Sequence, residues 1–226
     1  MRLSIVAVLG VIAMTVAPYA SASTIDAFIT ADNHYAFYTG NASGSVVHFC
    51  GANESGAEGS PGDYNWSIPE SYSISTNDEV IYLAAWSDDA CAQGLLGSFS
   101  LNGHPVLSGD PVWQVYATFH NLDDGDPPPT VADLSMRIGM ANSSSGWEPI
   151  SVYDLNGIDP WGFVDGISPN ARWMWGRDKA GNGNPFDPGA DHGEYLIFRT
   201  SVPEPGSLAL VTLPVASLVS RRRKPA

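Results

Sequence analysis

The chain is short of positive charge. Of its 226 residues only 10 are Lys or Arg, against 24 Asp or Glu, for a formal net of -14. Five of those ten are Arg2, Arg221, Arg222, Arg223 and Lys224, so residues 23–205 keep five positives against all 24 acids, a net of -19. Such a body cannot neutralise a row of phosphates, which excludes nucleic acid as a partner. Its acidity instead favours solubility and draws cations.

Local catalytic motifs are missing as well. The five histidines, His34, His48, His104, His120 and His192, form no HExxH or other close ligand spacing, and neither GxSxG nor a P-loop occurs. The expectation is a protein without catalysis. An enzyme of unrecognised type would need His and carboxylates from distant segments to converge in one pocket. Internal repeats, long helical periodicity and an internal linker are also absent, so residues 23–200 read as one domain.

Cysteine is nearly absent, at two residues, Cys50 and Cys91. The meaning of that pair depends on the N-terminus. MRLSIVAVLGVIAMTVAPYASAS has Arg2, an apolar run from Leu3 to Val16 and a small-residue Ala20-Ser21-Ala22 site, which reads as a secretory signal peptide over 1–22. Cleavage after Ala22 leaves Ser23 first. In an oxidising compartment Cys50 and Cys91 are expected to pair, closing a loop of roughly 40 residues worth about 3–4 kcal/mol. Two buried free thiols are the alternative.

What the body has is turn formers. Gly, Pro, Asn, Asp and Ser separate short apolar stretches rich in β-branched and aromatic residues. Candidate strands are 24–31, 34–40, 45–50, 71–75, 79–87, 95–102, 132–140 and 194–200, whereas VWQVYATF (112–119) fits a strand or a short helix. The spacing predicts an all-β fold, a single antiparallel jelly-roll-like β-sandwich, flanked by an N-terminal signal helix and a short hydrophobic C-terminal helix.

Binding chemistry would sit on the long loops 51–66, 120–131 and 177–193. Asp123, Asp124 and Asp126 form an acidic turn, and Asp187, Asp191 and Glu194 lie near the end of the last loop. Oxygen-rich loops of this kind can hold Ca²⁺, but no EF-hand spacing is present, and simple solvation is the preferred reading. No cofactor is firmly implied. Seven tryptophans offer faces on which sugar rings could stack, or bulk for a core. Tyr64 and Trp66 in GDYNWS, in a Gly/Pro-flanked loop, are the first candidates for exposed platforms, followed by Trp147 and Trp161. Trp173 and Trp175 in ARWMWGR share one strand face and are expected to point inward.

The stretch ITADNHYAFYTG resembles the DN-x-Y-x-x-Y-x-x-G opening of galactose-binding-like jelly-roll modules, with Asp32, Asn33, Tyr35, Tyr38 and Gly40 in matching roles. One residue fewer separates Tyr38 from the glycine. NDEVIYLAAWSDDACAQGLLGSF (77–99) is similar to a later strand pair of that family, and ARWMWGRD with EYLIFRT to its closing strands. The resemblance implies the fold and places Tyr35 and the strand aromatics inside, with Asp32 and Asn33 closing a turn. It does not imply sugar binding, because such modules also serve as scaffolds.

The tail, VPEPGSLALVTLPVASLVSRRRKPA (201–226 with Ser201), combines Pro203-Glu204-Pro205, an apolar stretch and Arg221, Arg222, Arg223 and Lys224. Its 14 residues from Ser207 to Ser220 would span about 21 Å as a helix, short of a hydrocarbon core of about 30 Å. Pro214 would kink it, and the basic end obeys the positive-inside rule. The tripartite pattern resembles the PEP-CTERM sorting signal. That resemblance implies export by a Gram-negative bacterium of a kind that makes exopolysaccharide, with 206–220 as a transient inner-membrane anchor and processing by exosortase after signal peptidase. The expected product is a surface or matrix protein, either associating with exopolysaccharide through its aromatics or purely structural.

Overall fold

The computed structural model describes residues 22–53, 66–87, 93–123, 125–176, 186 and 194–204. Residues 1–21 of the signal segment and everything from Pro205 onward lie outside these residues, as do both flanking helices expected there. Among the described residues no helix is long and apolar enough to cross a membrane.

The body is mostly β. Twelve strands run in the order β1 (Ser23–Asp32), β2 (His34–Gly40), β3 (Val47–Ala52), β4 (Glu70–Thr76), β5 (Val80–Trp86), β6 (Gly94–Leu101), β7 (His104–Leu107), β8 (Gln114–Asn121), β9 (Glu148–Pro149), β10 (Ser151–Leu155), β11 (Arg172–Trp175) and β12 (Glu194–Ser201). The one helix among the described residues, α1 (Val131–Ser143), separates β8 from β9. The first sheet has the order β10-β11-β6-β1-β4 with β7 beside β6, and the second has β3-β2-β5-β12-β8-β9. All the pairings are antiparallel. The expected antiparallel sandwich is therefore present at the level of its two sheets.

The strands form where alternation predicts. In β1 the burial alternates, with Ile25, Ala27 and Ile29 inward and Thr24, Asp26 and Phe28 outward, as for a strand with one solvated face. By contrast β2 and β5 are buried at every position. Both faces of the second sheet are covered, the inner by the first sheet and the outer by α1.

That helix corrects the sequence expectation of a strand at 132–140. The residues it buries are Leu134, Ile138 and Ala141, spaced at i, i+4 and i+7, which is a helical stripe. Thr130 caps it, its hydroxyl accepting from the Asp133 N–H, and Asp133 adds an acidic first turn. The prolines at 127–129 stop any strand from running into it. The alternating look of ADLSMRIGM was an accident of a helix whose outer face carries the half-exposed Met136 and Met140. The ambiguous segment at 112–119 is strand, as β8.

Two apolar cores result. The main one fills the space between the sheets with Ile25, Ile29, Phe37, Leu83, Leu95, Phe99, Phe198 and the rings of Trp113, Trp161, Trp173 and Trp175. Trp161 and Trp173 stack with centroids 4.2 Å apart, and Gly94 permits it: a Cβ there would stand 2.7 Å from Trp173. A smaller core under α1 joins Tyr38, Tyr82, Trp86, Tyr195 and Ile197 to Leu134, Ile138 and Ala141. Gly44, at φ +75°, lets the β2–β3 turn lie directly on Ile138, whose Cγ2 would be 2.5 Å from an added Cβ.

Candidate functional site

The sandwich has two poles. One gathers the Asp32–Asn33 turn, the ends of β5 and β11 and the starts of β6 and β12; the other gathers Ser23, the β6–β7 turn, the start of β5 and the end of β12. The sequence candidates mostly belong to the first.

The described tryptophans among them are packed against neighbours. Trp161 is 3% exposed, stacked inside the main core, with its Nε1 donating to Asp32 Oδ2 at 2.8 Å. Trp66 is half-buried against the same core, and its carbonyl accepts from the Thr30 hydroxyl at 2.8 Å. Trp147 packs on the outer core, covered on one face by the Arg199 guanidinium 3.8 Å from the ring centroid, and donates to Asn142 Oδ1. Tyr64 lies outside the described residues. Trp173 and Trp175 point inward as expected, at 0% and 2% exposure.

The turn at the family-like motif is tied to its surroundings by long-range contacts. Asp32 faces the Trp161 indole, while Asn53 bridges the turn from β3's end, its Nδ2 donating to the Asn33 carbonyl and its Oδ1 accepting from the Tyr35 N–H. Tyr35 is fully buried, as the resemblance implied, and its hydroxyl donates to Glu70 Oε2 at 2.8 Å beside the Tyr72 hydroxyl.

The acidic turn caps itself. Asp126 Oδ2 accepts from the Asp123 N–H at 2.8 Å, and Asp123 Oδ1 from Asn121 Nδ2. Asp124 lies outside the described residues, as do Asp187 and Asp191. Among the described residues no three His, Cys, Asp or Glu side chains converge to hold a metal.

A polar cluster that the sequence did not announce lies where the edge strands β3 and β4 face each other. A groove of about 340 Å³ is lined by Thr39, His48, Cys50 and Ile74 through Thr76. Asp78 Oδ2 accepts from Thr39 Oγ1 at 2.5 Å and lies 2.9 Å from His48 Nδ1. Burial pushes the Asp78 carboxyl up, but hydrogen bonds from Thr39, His48 and Thr76 outweigh it and hold the group below the usual carboxylate range. The Cys50 thiol donates towards Thr39 Oγ1 and the His48 carbonyl, and burial raises its pKa despite those contacts. A thiol held protonated, with the imidazole committed to Asp78, is not an activated nucleophile. Cys50 is free among the described residues, and its expected partner Cys91 lies outside them.

The second pole is closed by one residue. Asn102, at φ +52°, opens the β6–β7 turn with Gly103 at φ +78°, the Asn-Gly pattern of a two-residue hairpin. Its Oδ1 accepts from the Thr24 N–H at 2.8 Å, and its Nδ2 donates to Ser23 Oγ at 3.1 Å and to the Pro203 carbonyl. Both ends of the sandwich chain are thereby fastened side by side. Val202, 6% exposed, is the last buried residue among those described, its N–H donating to the Glu79 carbonyl; Pro203 and Glu204 are exposed immediately beyond. The Asn-Gly pair was visible in the sequence; its reach to two chain ends was not.

Comparison with protein-family models, with curated proteins and with solved structures finds no match to this chain.

Proposed function

We propose that this is an exported, non-catalytic surface or matrix module, delivered by a signal peptide over 1–22 and by a C-terminal segment that resembles the PEP-CTERM sorting signal and is cut near Pro205 by exosortase. The observation that carries the reading is the placement of Pro203 and Glu204. They are exposed directly after Val202, the last buried one of the described residues, and beside Ser23, the residue expected first after signal cleavage. Cutting just beyond Glu204 leaves every described strand and both cores intact. Two membrane-directed segments leaving one pole would stand the sandwich upright, with the opposite pole outward.

A jelly-roll reading of the sandwich is supported by the way the long strands change sheet in chain order, β1 to β2, β4 to β5, β5 to β6 and β11 to β12. Between a sugar-stacking and a purely structural module, the structural one is favoured. The ring faces of Trp66, Trp147 and Trp161 are taken up by the two cores and by Arg199. The Cys50–Cys91 disulfide and any Ca²⁺ on the acidic loops belong to the same proposal as aids to durability outside the cell.

Intact-mass spectrometry of the protein from culture medium and from membranes tests this. The expected medium form begins at Ser23 and ends near Pro205. An intact tail found in the membrane fraction alone replaces transient with permanent anchoring, and a full-length chain confined to the cytoplasm ends the export reading.

A further inference from the structure

Of the three described arginines only Arg137 is paired to a carboxylate; Arg172 donates its Nε to the Tyr153 carbonyl at 2.9 Å, and Arg199 differs from it in lining a pocket. On the outer face of the second sheet, β12 presents Tyr195, Ile197 and Arg199 in line. The first two lie under α1, whereas Arg199 emerges beyond Asn142 in the helix's last turn. Its guanidinium carbon lies over Trp147, 3.8 Å from the ring centroid. Nε and Nη2 donate to Gln114 Oε1 at 3.0 and 2.8 Å, and Nη1 donates to Asn142 Oδ1 at 3.2 Å.

These acceptors fix the fork but do not neutralise it. A guanidinium has five N–H donors. The three described bonds go to neutral amides, which leaves one N–H on Nη1 and one on Nη2 without a partner among the described residues. Arg199 makes no ion pair with a described residue; Arg137, by contrast, is paired to Asp133 at 3.4 Å. Nearby Glu79 is turned to the Ala42 N–H at 3.3 Å. Burial lowers the Arg199 pKa, as expected of a desolvated cation lacking a counter-charge.

Arg199 lines a pocket of about 160 Å³ at the chain-exit pole. Its polar lining includes Arg199, Gln114 and Ser201, and its walls are Ala42, Val80 and Val112. No carboxylate lines it. The Gln114 amide nitrogen and the Ser201 hydroxyl face no described partner, so the lining offers donors around one fixed positive charge.

We infer that this pocket binds a carboxylate, held by the two remaining N–H groups of Arg199 with Gln114 and Ser201 beside them. The volume suits the carboxylate and its adjoining carbons, with the remainder of a larger molecule in solvent. The group can come from a free organic acid or from a uronate unit of an acidic glycan. A rigid, pre-oriented fork on an aromatic face suits a planar two-oxygen anion better than a mobile ammonium would. The inference does not rest on export or processing of the tail.

The test is titration of ¹⁵N-labelled protein with acetate, glucuronate and a glucuronate oligosaccharide, reading the Arg199 Nε–H resonance. Sodium chloride at equal ionic strength and the neutral methyl glucoside are the controls. Saturable shifts with acetate and glucuronate, and none with the controls, are expected. Equal affinities for acetate and the oligosaccharide identify a free acid as sufficient, and a tighter oligosaccharide identifies a glycan. Gln114→Glu supplies an internal carboxylate and should weaken binding by about tenfold or more while preserving the fold. Arg199→Lys, which keeps charge but loses the fork, should do the same if Gln114→Glu fails to fold. No saturable shift, an equal response to methyl glucoside or chloride, or unchanged affinity in the folded variant overturns the inference.

Discussion

The second sheet has a different core on each of its faces. Inward, Phe37, Leu83, Leu196 and Phe198 meet the first sheet and its tryptophans in a thick, largely apolar layer. Outward, Tyr38, Tyr82 and Tyr195 meet one helix, and each phenol ends on a specific acceptor: the Pro129 carbonyl, the Asn41 carbonyl and Asp133 Oδ2. The inner core is held by area removed from water, which is insensitive to direction. The outer core is thinner and uses hydroxyls to set where α1 lies. One face carries stability and the other carries position.

The largest effect should come from the inner face. Phe198 is fully buried and packs 6.1 Å from Trp175, so Phe198→Ala is expected to cost about 3–5 kcal/mol, read as a lower urea midpoint. Ile138→Ala, beneath α1, should cost less, towards the lower end of about 2–5 kcal/mol. In hydrogen exchange it should expose the amides of 131–143 well before those of β5 and β12. A larger loss from Ile138→Ala than from Phe198→Ala would erase the distinction between the cores.

How much of this was legible follows from the same contrast. Alternation announced β1 and β4, because each has one solvated face, and aromatic runs announced β2, β5 and β12. α1 was misread because its buried stripe is only Leu134, Ile138 and Ala141, and a short apolar segment cannot be assigned by period alone. Its signals were local ones, Thr130 with Asp133 three residues on, after the prolines. Trp161 was misplaced for a related reason. Flanking Gly and Pro mark a loop, but they do not tell which way its ring turns, and Trp161 turned inward to Trp173. Asn53, Asn102 and the His48–Asp78 pair act across 18, 101 and 30 residues of sequence, and such distances leave no local trace.

The smallest effect at neutral pH is the most informative about the outer core. Tyr195 donates to Asp133 Oδ2 at 2.6 Å, and Tyr195→Phe should cost towards the lower end of about 1.5–3 kcal/mol at pH 7, the range for a hydrogen bond to a charged group. In alkali the balance changes. Burial is the main cause that raises the Tyr195 pKa, with the Asp133 carboxylate adding to it, and burial likewise pushes Tyr82 up to about 12. An unfolded tyrosine titrates near pH 10. A raised folded pKa means the native state keeps its proton longer, so this stability is complete below about pH 10 and is lost as pH climbs towards the folded value. Tyr35, on the inner face, is also raised, by burial first and then by Tyr72 and Glu70, but no helix depends on it. Helical circular dichroism followed against pH should therefore fall before the near-ultraviolet tryptophan signal of the main core, because a phenolate at Tyr195 would repel Asp133 and release the first turn of α1. Tyr195→Phe should shift that early loss to higher pH. Coincident loss of both signals in the wild type, or an unchanged curve in the variant, would show that the hydroxyls do not position the helix.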